Sequence, residues 1–279
     1  MEAIITLTSD FGATDAYVAA MKGVILSINP QAKLVDICHS IQPQNIAQAA
    51  FILGTAYQFF PPRTIHMVVV DPGVGTDRRA VILRTPSADF IAPDNGVLSY
   101  VIQPFLAKSE ENNVSPRQVE LQPELEAVAI TKPQFWRSPV SPTFHGRDIF
   151  APVAARLSLG LLPIEFGEAI TSVTMLPLPH PYQAVDGSLV GHIIHIDNFG
   201  DLVTNIKSND LPQTEPAITI GVGNQLISGL SHAYAESRGL LALIGSSGYL
   251  EIALNGGSAA TFLNTEIGDE IRIISGDSQ

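Results

Sequence analysis

The sequence predicts an α/β protein in two parts: an N-terminal, mostly parallel sheet flanked by helices, and a small C-terminal antiparallel β-barrel. Three observations carry this expectation. In the first half, short apolar runs alternate with helical patterns, which is the βαβ rhythm of a parallel sheet. Near residue 175 the character changes to short alternating runs separated by glycine turns, as in a small barrel. Within the first half, the β-branched run Ile65-His66-Met67-Val68-Val69-Val70 leads straight into Asp71-Pro72-Gly73-Val74-Gly75. An apolar strand that ends in a carboxylate and a Pro-Gly turn is how an open sheet presents a functional group at its carboxyl edge.

In chain order, Ile4 to Leu7 reads as a strand running into Thr8-Ser9-Asp10-Phe11-Gly12. Thr14 or Asp15 is placed to cap a helix through Ile28, whose apolar face is Val18, Met21, Val24, Ile25 and Ile28, and Asn29-Pro30 ends it. Lys33 to Cys38 is a second strand. A helix from about Gln44 to Phe60 is stopped by Pro61-Pro62. Strands follow at Ile65 to Val70, Ala80 to Arg84 and Phe90 to Ala92, then the turn Asp94-Asn95-Gly96 and a short helix from Val97 to Ile102. The polar, proline-containing segment Pro104 to Pro142 reads as a long loop or insertion, with a strand at Glu126 to Ile130. Asp148 to Leu159 reads as a helix with Asp148 as its N-cap.

Residues 1–174 are thus expected to form the α/β unit, and 175–187, containing Leu176-Pro177-Leu178-Pro179-His180-Pro181, a stiff connector. Residues 188–279 are expected to form the barrel, with strands at Leu189 to Ile196, Leu202 to Ile206, Ala217 to Val222, Leu240 to Ile244, Tyr249 to Ala253 and Glu270 to Ile274.

Composition bounds the function. The chain has 279 residues, 46% apolar and only 15% charged, so a large core and burial between subunits are both expected. A net charge of −12 argues against a nucleic-acid backbone or an anionic membrane as main partner. The single cysteine, Cys38, excludes an intrachain disulfide and a cysteine zinc cluster. The N-terminus lacks the features of a signal peptide, and no run approaches the ~20 apolar residues of a membrane span, so a cytoplasmic protein is expected.

The candidate chemistry lies where strands end. Asp10, Asp71 and Asp94 each follow an apolar run, and Arg78 comes seven residues after Asp71. Asp10 either anchors a ribose diol, as strand-end carboxylates do, or only caps the turn at Gly12. Asp94-Asn95-Gly96 is a turn signal in its own right. In Phe144-His145-Gly146-Arg147-Asp148, the histidine sits between a loop and a helix start, beside a glycine that permits close approach of a ligand. His66, His192 and His195 fall in strand patterns and read as packing or surface residues. Cys38 and His39 adjoin in a strand and so point to opposite faces, which disfavours a thiol–imidazole pair. Nucleotide-binding GxGxxG and Walker sequences, HExxH and GxSxG are all absent.

Taken in order, Thr8-Ser9-Asp10-Phe11-Gly12 with Asp15, Asp71-Pro72-Gly73-Val74-Gly75 with Arg78, Asp94-Asn95-Gly96, Phe144-His145-Gly146-Arg147-Asp148, and Asp197-Asn198-Phe199-Gly200 with Thr204-Asn205-Ile206 resemble the S-adenosyl-L-methionine hydroxide adenosyltransferase family. Its relatives are the fluorinase and chlorinase enzymes. The resemblance runs from residue 4 to about 274. It implies an α/β domain, a C-terminal barrel, a homotrimer with the ligand at the subunit interface, and cleavage of S-adenosylmethionine by water into adenosine and methionine. It implies no cofactor and no metal.

Residue by residue, the resemblance implies that Asp10 binds the ribose hydroxyls and that Asp71, Arg78 and His145 activate water. Tyr17 and Gly146 are implied to belong to the substrate site. In the halogenases a tyrosine stands at the position of Asp71, and the fluorinase has its halide-binding serine at Gly146, so both positions point to water. In the barrel, Asp197 matches an acid near the methionine ammonium, Ser246 a methionine contact, and Asn255 and Gly256 the segment that holds the adenine. Relatives often carry asparagine at the position of Asp201; an ionised carboxylate only accepts, so either Asp201 is protonated, or adenine is read differently, or affinity is lower. Ser247 stands where the fluorinase has an arginine.

The implied reaction suits these residue types. A neutral thioether leaves a sulfonium, so no general acid is needed. The task is to hold a nucleophilic oxygen in line behind ribose C5′ and to accept its proton. Two other classes fit parts of the pattern: a non-catalytic sensor of S-adenosylmethionine or adenosine, and a metal-dependent hydrolase with Asp10, Asp71 and Asp94 as oxygen ligands.

Overall fold

The computed structural model describes residues 3–106, 115–212 and 218–275. The chain divides into two compact units, Met1–Pro177 and Leu178–Gln279.

The first unit begins with β1 (Ile4–Ser9), α1 (Tyr17–Ile28), β2 (Lys33–Cys38), α2 (Ile46–Ala56) and β3 (Thr64–Val69). It continues through β4 (Ala80–Arg84), β5 (Ala88–Pro93), α3 (Ser99–Ile102), β6 (Arg117–Glu120), β7 (Glu126–Ile130), α4 (Ala151–Ser158), β8 (Gly167–Ile170) and β9 (Ser172–Met175). The main sheet has the order β2-β1-β3-β5-β4-β7-β8, and β6 pairs with β9 in a small separate sheet. The parallel part expected from the βαβ rhythm is β2-β1-β3-β5, and the sheet continues antiparallel through β4, β7 and β8.

Alternation along the strands divides the core. Ile5, Leu7, Ile65, Met67 and Val69 face α1 and α4, and Val68 and Val70 face α2 and α3. All six residues of β3 are buried, so this central strand is covered on both faces, as its near-continuous apolar sequence requires.

Several local expectations change. Helix α1 starts at Tyr17 with Ala16 at its N-cap and no side-chain cap, so neither Thr14 nor Asp15 caps it. Helix α2 is capped by Asn45, whose side chain accepts from the Gln48 N–H, and it tightens into a 3₁₀ turn, Tyr57–Phe59, before the prolines. Asp148 is not an N-cap. It lies inside a π-helical turn, Gly146–Phe150, that runs into α4, and its completely buried carboxylate folds back to accept from the Ser141 N–H. The segment Pro104 to Pro142 is more ordered than a long loop, since β6 and β7 lie within it; its residues 107–114 lie outside the described residues.

The second unit comprises β10 (Tyr182–Gln183), β11 (Leu189–Ile196), β12 (Leu202–Lys207), β13 (Ile218–Val222), β14 (Gln225–Ser228), β15 (Leu240–Ile244), β16 (Tyr249–Leu254), α5 (Ala259–Leu263) and β17 (Glu270–Ser275). Strand β10 falls within the stretch 175–187 that reads as a connector. The order β14-β13-β17-β11-β12-β16-β15 is antiparallel throughout, and β14 and β15 at its two ends come into contact, so the sheet is a nearly closed barrel. Its interior is aliphatic, with Ile193, Leu202, Ile220, Leu250, Ile252 and Ile271 among the fully enclosed residues.

Candidate active site

Strands β1 and β3 are parallel neighbours, so their following residues, Asp10 and Asp71, emerge at the same edge of the sheet. From β1 the chain leaves toward β2 on one side; from β3 it leaves toward β4 on the other. Such a reversal opens a crevice at the carboxyl ends of the strands. Here it is a cavity of about 280 Å³ lined by Asp10, Phe11, Gln44, Asp71, Phe144 and His145, among others. That lies near the lower end of the ~300–1,000 Å³ usual for small-molecule clefts.

The turn after β3 brings Arg78 back to Asp71. The Val74 N–H donates to the Asp71 carbonyl at 3.2 Å and the Thr76 N–H to the Gly73 carbonyl at 3.1 Å, so two turns reverse the chain in succession. Arg78 Nε then donates to both Asp71 oxygens at 2.9 Å, and Nη2 donates to Oδ2 as well. The same Nη2 lies 2.9 Å from Nδ1 of His145. The pair is withdrawn from solvent, with 13% of the Arg78 side chain exposed and 5% of Asp71, and the guanidinium lies over the Phe150 ring. The structure therefore brings Asp71, Arg78 and His145 together. Burial, reinforced by the Arg78 charge, holds the His145 imidazole below the usual histidine range, against the opposing pull of Asp71 and Asp148.

Two close approaches explain the glycines. Gly75 has φ +78°, and a Cβ there would run into the carbonyl oxygen of Pro142 on the segment that leads to His145. A Cβ on Gly146 would lie 2.9 Å from Met21 Sδ and 3.1 Å from Val69 Cγ1, so a serine at this position requires those side chains to move.

Asp10 Oδ2 accepts from the backbone N–H of Gln44 at 2.7 Å. Gln44 is not a glycine yet has φ +65°, a conformation that costs a side-chain-bearing residue and here aims its N–H at the carboxylate. Tyr17 is half-exposed and packs against Phe11 and Phe144, with ring centroids 5.4 and 5.3 Å away. The three rings form an aromatic wall on which the Arg147 guanidinium rests.

Asp94 does not join Asp10 and Asp71. It is ion-paired with Arg79, and its other oxygen accepts from the Thr174 N–H at 2.6 Å. The three-aspartate metal ligand set therefore does not assemble. The neighbouring Asn95 is the more useful residue: its Nδ2 donates to the Val70 carbonyl at 2.9 Å, immediately before Asp71.

In the second unit, Asp197 Oδ1 accepts from the backbone N–H groups of Phe199 and Asp201, which shapes the turn between β11 and β12. Burial, then the charge of Asp197, pushes the Asp201 carboxyl up. Glu251 is raised by burial first and then by the same two aspartates, and it accepts from the Tyr234 hydroxyl at 3.3 Å. Burial together with these three carboxylates pushes Tyr234 up to about 12. Glu251 and Tyr234 carry no motif that singles them out in sequence. Ser246 lies in the turn joining β15 to β16, and Asn255 and Gly256 follow β16, where the Asn255 amide donates to the Ser237 carbonyl at 2.7 Å.

A strand-edge cleft with a carboxylate, an aromatic wall and a buried Asp–Arg–His trio defines a protein with a small-molecule-sized polar site at the carboxyl edge of its sheet. Residues 5–167 match the SAM hydroxide adenosyltransferase N-terminal domain, and residues 191–272 match the C-terminal domain of the same family. The chain belongs to the SAM hydroxide adenosyltransferase family. It is 32% identical to the (R)-S-adenosyl-L-methionine hydrolase of Salinispora arenicola, over 98% of each chain. It is 28% identical to the fluorinase of Nocardia brasiliensis, over 97% of this chain and 96% of that one. The crystal structure of an uncharacterized conserved protein from Thermotoga maritima superposes with a TM-score of 0.84 at 34% identity, covering 96% of this chain and 99% of that one. Among the described residues, no helix is long and apolar enough to cross a membrane.

Proposed function

We propose that the protein hydrolyses S-adenosyl-L-methionine to adenosine and L-methionine by attack of water on ribose C5′. The observation that carries this reading is the Asp71–Arg78–His145 trio in the same cleft as Asp10. Asp10 is assigned to the ribose hydroxyls, through the oxygen that does not accept from Gln44. Asp71 is assigned as the proton acceptor. The contact with Arg78 occupies Nδ1 of His145, so the neutral imidazole carries its proton on Nε2 and orients the water rather than deprotonating it. Arg78 stabilises hydroxide character as the proton moves. Hydroxide and sulfonium give neutral products, and a site this withdrawn from solvent favours that loss of charge. The chemistry calls for no metal or cofactor, since the leaving group is a neutral thioether.

Within this reading, Tyr17 and Gly146 belong to the substrate pocket. Asp197 and Ser246 take the methionine end, and Asp201, Asn255 and Gly256 take the adenine. A homo-oligomer, expected to be a trimer, completes the assembly, and a light-scattering mass tests it.

Purified protein incubated with S-adenosylmethionine and a chelator is expected to release adenosine and methionine in equal amounts. Asp71→Asn and His145→Ala are expected to lower turnover by at least about 100-fold while adenosine affinity stays within a few-fold. Absence of both products, with or without halide, overturns the reading, and substrate recovered intact from a tight complex makes the protein a sensor instead.

A further inference from the structure

Outside the trio, the structure joins Ser9, His39 and Asp36 into a chain of hydrogen bonds. Ser9 Oγ lies 2.7 Å from Nδ1 of His39, and Nε2 of His39 lies 3.0 Å from Asp36 Oδ1. Lys22 of α1 donates to the other oxygen of Asp36 at 2.6 Å. Residues 36 and 39 would point to opposite faces of a regular strand. Here His39 lies one residue past the end of β2, and the pairing of β1 with β2 slips by one residue between Leu7–Asp36 and Thr8–Cys38, so regular alternation does not govern residue 39 and its ring meets Asp36.

With the imidazole neutral, the protons in this chain have one consistent order. Burial alone would raise the Asp36 carboxyl, but hydrogen bonds from Lys22 and His39 outweigh it and hold the group below its usual range. Asp36 therefore accepts, Nε2 of His39 carries the hydrogen, and Nδ1 accepts from the Ser9 hydroxyl. Ser9 Oγ in turn accepts from the Phe11 N–H at 3.4 Å, and the His39 carbonyl accepts from the Gly12 N–H at 2.8 Å. These are the residue types of a nucleophilic triad, but Ser9 is completely buried, so no substrate can approach its hydroxyl. The contacts run to the loop that carries Asp10 and Phe11, on both sides of those two residues.

We propose that His39 is a positioning residue: through Ser9 and its own carbonyl it fixes the Ser9–Gly12 loop, and so holds Asp10 and Phe11 at the wall of the substrate cleft. Asp36 and Lys22 orient the imidazole from outside. This rests on the assignment of the cleft to S-adenosylmethionine and adds to it a residue that never touches the ligand.

The test compares Ser9→Ala, His39→Gln and His39→Asn. The Asn amide oxygen takes the place of Nδ1 and keeps an acceptor for Ser9; the Gln amide lies at the position of Nε2 and does not. Ser9→Ala and His39→Gln are expected to raise the adenosine Kd and the KM for S-adenosylmethionine about ten-fold, with a smaller change in kcat because the trio is held by its own turn. His39→Asn is expected to stay within about two-fold of wild type. Amide exchange of residues 9–12, measured without ligand, is expected to quicken in the first two variants and not in the third. Unchanged exchange and unchanged adenosine affinity in Ser9→Ala and His39→Gln overturn the proposal, as does a His39→Asn variant that behaves like them. A wild-type protein that binds no adenosine overturns the functional assignment instead, and the exchange measurement still decides whether His39 braces the loop.

Discussion

Arg78 Nη2 lies 2.9 Å from Nδ1 of His145, and that contact settles where the imidazole keeps its proton. A guanidinium only donates, so Nδ1 accepts and Nε2 is the protonated nitrogen. Because Arg78 also grips both oxygens of Asp71, one side chain sets the orientation of the acid and the tautomer of the histidine together. Arg78→Lys keeps the charge but replaces a rigid fork by a single ammonium, which cannot hold both partners in this geometry. Turnover is expected to fall by about 100-fold, with adenosine affinity unchanged within a few-fold. Single-turnover kinetics beside calorimetric adenosine binding separates the two, and a variant with near wild-type turnover would show that the charge alone suffices.

The same contact sets a pH dependence. Protonating His145 turns Nδ1 into a donor facing a guanidinium, so the proposed mechanism requires the neutral imidazole. Burial and the Arg78 charge hold the His145 pKa below its ordinary value of 6.5, so the neutral form persists to lower pH than in an exposed histidine. The acid limb of kcat/KM is therefore expected to fall with a midpoint below 6.5, and to be absent from the residual activity of His145→Gln. A midpoint at or above the ordinary value, or the same limb in the variant, removes His145 from the catalytic unit.

Gly75 couples the Asp71 turn to the segment before His145. Its φ of +78° disfavours any side chain, and a Cβ would meet the Pro142 carbonyl oxygen. Gly75→Ala is therefore expected to cost about 1–3 kcal/mol of stability and to reduce turnover by separating Arg78 from His145. Denaturant unfolding and kcat measured on the same preparation check this, and an alanine variant with unchanged kcat would show that the turn adjusts without moving Arg78.

The parts legible in sequence are those fixed by local pattern or by the order of motifs. The near-continuous apolar run of β3 matches a strand buried along its whole length, and the Pro-Gly turn that follows it is the turn that brings Arg78 back to Asp71. What stayed hidden depends on contacts distant in the chain. The role of Asn95 is set by the carbonyl of Val70, 25 residues away, and the positive φ of Gln44 by the carboxylate of Asp10, 34 residues away. Asp148 carries the local signature of an N-cap, but Ser141 and Arg147 offer its carboxylate better partners than a helix end does. The contact of Asp36 with His39 forms where β2 has ended and its pairing with β1 has slipped, which no period-two pattern encodes.

His66 gives a stability signature independent of the active site. It is completely buried in β3, stacked on Phe90 with centroids 5.0 Å apart and met edge-on by Tyr57 and Phe60. Its Nδ1 is paired with the Thr6 hydroxyl at 2.8 Å, while Nε2 is buried without a partner among the described residues. A charged imidazole in this apolar stack would be poorly solvated, and burial lowers its pKa from 6.5 to about 4. The unfolded chain takes up a proton near pH 6.5 that the folded protein refuses until about pH 4, so stability rises with pH across that window. The stability associated with the neutral histidine is complete above pH 6.5 and is lost progressively as the pH falls toward 4, by an amount on the order of 3 kcal/mol. His66→Phe keeps the ring stack and removes the titration. Its unfolding free energy is expected to drop less than that of wild type between pH 7 and pH 4.5, whatever the cost at neutral pH of leaving Thr6 without its partner. Parallel pH profiles for the two proteins would assign the acid sensitivity to other groups.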